Sequence, residues 1–157
     1  MIDQDEFRSV MGRFASGVTV VTSLDPNGED EGMTVSAFCS LSLDPPLVLV
    51  CVDQSAKMYD SLANSETFIV NILSERQEPL ARRFSGPDPN RFDGIGYTRG
   101  VSGIAILDDV LGYLECRRIA THVGGDHRIY IGEVEQVSAR EGRPLLYYRG
   151  GYAQLER

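Results

Sequence analysis

Four small hydroxyl side chains recur at even spacing between residues 34 and 42: Thr34, Ser36, Ser40 and Ser42. Even spacing places them on one side of a regular strand, which predicts a polar face with little side-chain bulk. A flat heteroaromatic ring with a polyol chain can lie against such a face, because small side chains let backbone N–H groups approach the ring. An ordinary solvent-facing strand has the same pattern, and this alternative stays open.

A second candidate is the segment DQSAK, residues 53–57, which follows an apolar run and precedes a predicted helix. A helix N-terminus presents unpaired N–H groups and the positive end of the helix dipole, which suits a phosphate group. Ser55 would add a hydroxyl donor and Lys57 a positive charge. The alternative is a plain N-cap serine followed by an exposed lysine.

A third candidate is the segment GGDH, residues 124–127, whose glycines permit a tight turn with positive φ. His127, held there beside Asp126, can face a planar ligand or donate a hydrogen bond to an amide. A solvated histidine in a structural turn is the alternative. A zinc site is disfavoured, because His122 and His127 lie five residues apart in a glycine-rich turn with no cysteine nearby in sequence.

A fourth candidate lies late in a long predicted loop, where Arg91 and Phe92 could cover a bound cofactor. A surface loop anchored by Phe92 alone explains the pair equally well. The sequence carries no GxGxxG, Walker A or GxSxG motif, which disfavours the Rossmann, P-loop and nucleophile-elbow classes. Redox chemistry in such a chain has to come from a borrowed cofactor.

The composition bounds the function classes. The chain has 157 residues, which predicts one domain over residues 1–157, and 42% of them are apolar. The net charge of −8 with dispersed basic residues disfavours nucleic acid as a partner. We expect no membrane association, because no apolar run approaches about 18 residues. The acidic N-terminus and three dispersed cysteines predict a cytoplasmic location.

The periodicity predicts a mainly β fold with peripheral helices. Helices are predicted from Asp3 to about Gly17, from Ser55 to about Ala63 and over residues 74–84, with a long loop over residues 85–104. The run at residues 47–52 is nearly all apolar and predicts a strand buried on both faces. No regular helices separate the strands, which favours a closed or nearly closed antiparallel barrel with Greek-key-like connections. The predicted strands are residues 18–23, 33–43, 47–52, 68–73, 110–120, 129–137 and 145–148.

In their order along the chain, these features resemble the short-chain flavin reductase family, the FMN-binding split-barrel proteins that include reductase components of two-component flavin monooxygenases. The strings GMTVSAFCSLSLDPP and GGDHRIYIGEV carry the resemblance most specifically. Further matching strings are FRSVMGRFASGVTVVTS, FIVNILSERQEPLARRFS, RFDGI, LECRR and PLLYYRGGYAQL.

The resemblance implies a split β-barrel homodimer that binds FMN or FAD, oxidises NADH or NADPH, and supplies reduced flavin to a partner monooxygenase. His127 matches the family histidine near the flavin face where nicotinamide stacks. The positions that match flavin contacts are Thr34, Val35, Ser36 and Ala37 for the ring or ribityl chain, Ser40, Leu41 and Ser42 for the ring and chain, Ser55 and Lys57 for the phosphate, and Arg91 and Phe92 for a nearby loop.

Three rival functions stay open at this point. The same barrel can bind flavin or haem as an electron carrier without nicotinamide turnover. A flavin-dependent oxidase resembling pyridoxamine-phosphate oxidases would need a basic site for its phosphorylated substrate, and the sequence shows no cluster of arginine and lysine to build one. A purely structural dimer would leave the hydroxyl-rich segment unexplained.

Overall fold

A computed structural model describes residues 1–156 of the chain. A short 3-10 turn, Glu75–Gln77, leads into the third helix. The α-helices are α1 Gln4–Met11, α2 Met58–Asn64 and α3 Glu78–Arg83. The strands are β1 Ser16–Gly17, β2 Thr19–Leu24, β3 Asp30–Val35, β4 Phe38–Ser42, β5 Leu47–Asp53, β6 Thr67–Ile72, β7 Tyr97–Arg99, β8 Ala105–Leu107, β9 Gly112–Gly124, β10 His127–Ala139, β11 Leu145–Tyr148 and β12 Gly151–Gln154.

The main sheet has seven antiparallel strands in the order β3-β2-β6-β9-β10-β5-β4. Its two edge strands, β3 and β4, are consecutive in sequence and are joined only by Ser36 and Ala37. Two residues span only about 7 Å, so the two edges of the sheet must meet at this point. The sheet therefore curls into a split barrel, and the connection from β5 to β6 crosses the β9–β10 hairpin as in a Greek key. The predicted antiparallel barrel is confirmed.

The sheet buries apolar side chains on both of its faces. Inside the barrel, Val50, Phe68 and Tyr130 belong to a cluster that α2 closes from one end with Met58 and Leu62. On the outer face, a second cluster packs α3, β8 and β11 against β2. Adjacent residues of β2 belong to different clusters, because Val21 points into the barrel and Val20 points to the outer face. The members of the outer cluster are Val18, Val20, Leu73, Ala81, Phe84, Leu107, Val110 and Leu145.

The first helix begins where the sequence predicts but ends several residues before the predicted end. Asp3 caps α1 in a capping box with Glu6, but the helix stops at Met11 rather than near Gly17. Its apolar stripe is exposed in the single chain, and Phe14 beyond the helix is 78% exposed. Among residues 1–156, no helix has the length and apolarity needed to cross a membrane.

Three element predictions are wrong in detail. The extended stretch at residues 33–43 is two strands rather than one, because the chain crosses the barrel split at Ser36 and Ala37. Strand β5 alternates between buried and half-buried residues, since its outward face has no second layer in the single chain. The helix predicted from Ser55 begins only at Met58. The sequence analysis also missed the short strands β1, β7, β8 and β12.

Candidate functional site

A cavity of about 480 Å³ lies where β3 meets the turn before α2 and the loop after α3. It brings together four predicted site residues that are distant in sequence, namely Thr34, Lys57, Arg91 and Phe92. Arg91 and Phe92 are half-buried, whereas Lys57 is exposed. The cavity can therefore receive a polar, anionic segment of a ligand beside an aromatic ring.

Lys57 is the only lysine in the sequence, the other fourteen basic residues being arginines. Its backbone is fixed because the next residue, Met58, inserts into the barrel core and is 2% exposed. Helix α2 is further held by Arg128, whose Nη1 donates to the Tyr59 carbonyl oxygen at 3.1 Å and whose guanidinium stacks over the Tyr59 ring. An ammonium group on this anchored turn can neutralise a phosphate in the cavity.

The loop that carries Arg91 and Phe92 is held by hydrogen bonds to the backbone. Arg83 of α3 donates to the carbonyl oxygens of Asn90, Arg91 and Asp93. Arg91 donates in turn to the carbonyl oxygens of Gly32 and Gly86, at 2.8 and 2.7 Å. The guanidinium of Arg91 thus holds the cavity wall in place. Of the two cations, Lys57 is therefore the one whose charge is available to a ligand.

Aromatic packing fixes the back of the cavity. The rings of Phe84 and Phe92 meet edge to face with centroids 5.1 Å apart. Gly32 is required beside them, because a Cβ at this position would lie 2.9 Å from Cε1 of Phe84. Both residues line the cavity. Gly32 begins the string GMTVSAFCSLSLDPP that the sequence predicts to cradle the flavin, whereas Phe84 was missed as a site residue. The sequence indicated only that Phe84 lies at the end of the predicted third helix, which does not by itself point to a cavity.

His127 lies at a β-hairpin that is linked to this cavity through the turn at residues 53–57. The loop of the hairpin is Gly125 and Asp126, and Gly125 has the positive φ of 61° that the sequence predicts. His127 pairs with Asp53 across the β10–β5 ladder, and its Nδ1 lies 2.8 Å from Oδ1 of Asp126. One side-chain ligand atom from each of these three residues lies within 4.8 Å of the others. The carboxylate of Asp126 orients the half-buried imidazole, and the carboxylate of Asp53 lies nearby without a hydrogen bond to it.

Ser55 belongs to the His127 side of the site rather than to a helix start. Its backbone N–H and its hydroxyl both donate to Oδ1 of Asp53, each at 2.8 Å. These two hydrogen bonds lower the pKa of Asp53, with a smaller contribution from the charge of His127. Because α2 begins at Met58, the prediction of a helix dipole at Ser55 is wrong. The turn from Asp53 to Lys57 instead joins the histidine hairpin to the cavity.

The hydroxyl-rich segment does not form one continuous face. Thr34 is half-buried, and its hydroxyl donates to the Ala81 carbonyl oxygen at 2.6 Å. The side chain of Val35 is buried in the barrel core, so only its backbone can meet a ligand. Ser36 and Ala37 are exposed at the crossing between the two barrel edges. The prediction that the four hydroxyls share one side of a strand is wrong, because the strand ends between them.

Ser40, Leu41 and Ser42 lie farther along the edge strand β4. Ser40 pairs with Val48 of β5, five residues from Asp53, which corresponds to about 17 Å at the usual rise per residue. The register shifts between Ser40 and Ser42, so their side chains lose the alternation of a regular strand. Ser40 and Leu41 are exposed and Ser42 is half-buried. The structure separates these three residues from the cavity and from His127.

Glu31 is a buried carboxyl group in the cavity wall that the sequence analysis missed. The residue is 7% exposed, and one of its oxygens accepts a hydrogen bond from the hydroxyl of Ser61. Burial and, to a smaller extent, the charge of Asp25 raise its pKa to about 7, and this value already includes a partial offset by Lys57. Strongly perturbed pKa values cluster at functional sites, which marks Glu31 as a candidate site residue.

Comparison with known proteins identifies the family. Residues 11–156 match the family described as flavin reductase like domain. An NADH-dependent flavin reductase from a Rhodococcus species is 43% identical over 153 residues, which cover 95% of this chain and 85% of the relative. The reductase subunit HsaB of a flavin-dependent monooxygenase from Rhodococcus jostii RHA1 is 40% identical over 156 residues, covering 99% of this chain and 80% of the relative.

A solved structure agrees with the sequence relatives. The NADH:FAD oxidoreductase of Streptomyces globisporus, determined with NAD and FAD fragments, superimposes with a TM-score of 0.93 at 35% identity and covers 98% of this chain and 93% of its own. The resemblance read from the sequence motifs is therefore confirmed. Because the family match and both sequence relatives extend over nearly the whole chain, this protein belongs to the flavin reductase like family.

Proposed function

We propose that this protein is an NAD(P)H:flavin oxidoreductase, which passes hydride from NADH or NADPH to FMN or FAD. The observation that carries the proposal is that the turn at residues 53–57 connects the cavity containing Lys57 to the hairpin that orients His127. Two relatives, an NADH-dependent flavin reductase and a monooxygenase reductase subunit, support the same reaction.

Different residues of the chain would bind different parts of the flavin. Lys57 would neutralise the flavin phosphate. Ser55 would add a hydroxyl donor from the same turn once its hydrogen bond to Asp53 is exchanged for one to the phosphate. Arg91 and Phe92 would form the wall of the cavity, with Thr34 opposite them. Ser36 and Ala37, with the backbone of Val35, would offer N–H groups to the ring at the barrel split. Preorganised backbone donors of this kind stabilise charge that develops on a bound ring.

Ser40, Leu41 and Ser42 would contact only a more distant part of the ligand, or a ligand held between two subunits. Their separation of about 17 Å along β5 from the His127 hairpin makes them the least supported members of the predicted set.

The bound flavin supplies the hydride-accepting ring, and the protein supplies orientation. A hydride transfer needs its reacting atoms about 3–3.5 Å apart, so rigid positioning contributes most of the rate. His127 serves this purpose as a positioning group for nicotinamide, because the Asp126 carboxylate orients its imidazole and the ladder pairing with Asp53 fixes its backbone. No acid or base side chain is required for the hydride step itself.

A turnover assay tests the proposal directly. The purified protein is mixed with NADH or NADPH and with added FMN or FAD, and nicotinamide oxidation is followed at 340 nm. We expect oxidation well above a protein-free control for at least one of the four pairs. If all four pairs match the control while the absorption spectrum shows bound flavin or haem, the electron-carrier alternative is correct and the reductase proposal fails.

We also propose that the reduced flavin is delivered to a separate flavin-dependent monooxygenase. The relatives named as monooxygenase reductase components, including that of a 4-nitrophenol monooxygenase from Rhodococcus opacus, support this role. A reaction that couples the protein to a reductase-free monooxygenase component should restore substrate hydroxylation. Hydroxylation that stays at the level without reductase would contradict the delivery role.

We propose that the functional unit is a homodimer. The apolar stripe of α1 and its continuation are exposed in the single chain, with Val10 at 69% and Phe14 at 78%. Exposed apolar groups of this extent are typical of subunit interfaces. Light scattering should give twice the chain mass for the wild-type protein, and Phe14→Glu should shift the mass toward one chain. A wild-type protein with the mass of one chain would overturn the proposal.

We further propose a cytoplasmic location and one functional domain over residues 1–157. The three cysteines are free thiols, which suits a reducing compartment. Cell fractionation of the native organism, with the protein recovered outside the cytoplasmic fraction, would contradict the location.

A further inference from the structure

Glu31 is held in the cavity wall with one carboxylate oxygen unpaired. Within the described residues, its Oε1 accepts from the hydroxyl of Ser61, whereas Oε2 is buried and has no hydrogen-bond partner. A buried oxygen that lacks a donor is costly, and the cost is larger when the group is ionised. No hydrogen bond at Oε2 offsets the negative charge of an ionised Glu31. That charge therefore acts on a ligand in the adjacent cavity.

The charges around Glu31 come from each of the elements packed against it. Asp25 on the β2–β3 turn is a like charge, and Lys57 before α2 is an opposite one. Asp30 on the same strand is neutralised by Arg99, whose Nη1 lies 2.8 Å from Oδ1 of Asp30. Arg91 is directed at the backbone carbonyl of Gly32. Among residues 1–156, Lys57 is thus the cation near Glu31 that a ligand phosphate would share with it.

We propose that Glu31 is a specificity-determining residue of this cavity, which disfavours a ligand segment bearing a doubly charged terminal phosphate and favours an uncharged hydroxyl-bearing segment. This inference rests on the proposed function, since it concerns flavin in the same cavity. A phosphate monoester loses its second proton near pH 6, so the phosphate of FMN is mostly a dianion at pH 8. Riboflavin has the same ring and polyol chain without that charge.

The mechanism is competition for Lys57 together with like-charge repulsion. An ionised Glu31 lowers the net positive potential that Lys57 offers to a phosphate, and the partly buried wall screens this repulsion less than bulk water does. A protonated Glu31 removes the repulsion. The preference should therefore change with pH through the titration of this carboxyl group, in addition to the titration of the phosphate itself, and the comparison with Glu31→Gln isolates the part due to the carboxyl group.

The test compares flavin affinities of Glu31→Gln with those of the wild-type protein by fluorescence titration at pH 6 and pH 8. Glutamine keeps the shape and an oxygen acceptor for Ser61 while removing the charge. The matched control is Glu141→Gln, the same substitution at an exposed glutamate that does not line the cavity.

At pH 8 we expect Glu31→Gln to raise the affinity for FMN relative to riboflavin by about fivefold or more, a modest fraction of the repulsion of two charges at short range. At pH 6 the gain should shrink, because the wild-type carboxyl group is then protonated. Glu141→Gln should change the ratio less than twofold, because solvent screens its charge and it lies outside the cavity. If Glu31→Gln leaves the ratio of FMN affinity to riboflavin affinity unchanged at pH 8, the inference fails and the proposed function stands. If the wild-type protein binds no flavin, the proposed function fails as well.

Discussion

Nη1 of Arg91 lies 2.8 Å from the carbonyl oxygen of Gly32, which joins the loop after α3 to an edge strand 59 residues earlier in the chain. The other terminal nitrogen of Arg91 reaches Gly86 within its own loop. One planar side chain therefore sets the width of the cavity between β3 and the loop.

The first prediction follows from this link. Arg91→Ala should weaken flavin binding about tenfold and lower the free energy of unfolding by about 1–3 kcal/mol, because two part-buried carbonyl groups lose charged donors. Arg91→Lys should recover little, since an ammonium group cannot reproduce the forked donor geometry. Fluorescence titration and urea unfolding measure both effects. Arg140→Ala, at an exposed arginine 3.6 Å from Asp109, is the control and should leave both unchanged. Equal behaviour of the two alanine variants would refute the bridging role.

The second prediction uses the fact that Lys57 is the only lysine. Reductive methylation with ¹³C-formaldehyde labels only this side chain and the N-terminal amine, so the NMR spectrum contains two resolvable sites. FMN should shift the Lys57 signal strongly, and riboflavin should shift it much less, if Lys57 contacts the phosphate. Lys57→Arg identifies the signal by removing it. A Lys57 signal that responds equally to both flavins would contradict a phosphate role.

The third prediction concerns His127. His127→Ala should raise KM for the reduced nicotinamide about tenfold with a smaller change in kcat, because the side chain positions the substrate and transfers no proton. His122→Ala is the control, since it removes the only other histidine, an exposed residue on β9. Steady-state kinetics at saturating flavin distinguish the two. Unchanged KM in His127→Ala would exclude His127 from the site.

The fourth prediction is a dependence of stability on pH. The pKa of Glu31 is raised from 4.5 to about 7 in the folded protein, chiefly by burial. The folded state therefore binds its proton more tightly than the unfolded state, so the contribution to stability is complete below pH 4.5 and is lost as the pH rises through 7. Because Gln does not titrate, Glu31→Gln should gain about 1–2 kcal/mol relative to wild type between pH 5.5 and pH 8.5.

Urea unfolding of both proteins at the two pH values provides this measurement. The difference between them cancels the titration of all other groups, provided that the slope with urea stays the same. Ser61→Ala is a useful companion, because it removes the hydroxyl that bonds to Glu31 while leaving its charge in place. A stability difference between Glu31→Gln and wild type that is constant with pH would show that Glu31 ionises normally in the fold.

Local sequence signals determined several features well. The capping box at Asp3 and Glu6 sets the start of α1, and Gly125 supplies the positive φ that its hairpin turn requires. The absence of regular helices between the predicted strands favoured the antiparallel barrel. The family resemblance rested on local strings of sequence. These features needed no knowledge of contacts between distant parts of the chain.

Only the tertiary structure decided which chemical groups meet. Ser36 and Ala37 look like part of a strand, but barrel closure turns them into the crossing between β3 and β4, and this separates Thr34 from Ser40. Glu31 resembles an ordinary surface glutamate in the sequence, and it becomes buried only because α2 packs over the end of the barrel. The cavity exists because Arg91 reaches Gly32. Such contacts depend on how the sheet curls and where loops dock, and neither has a local signature in the sequence.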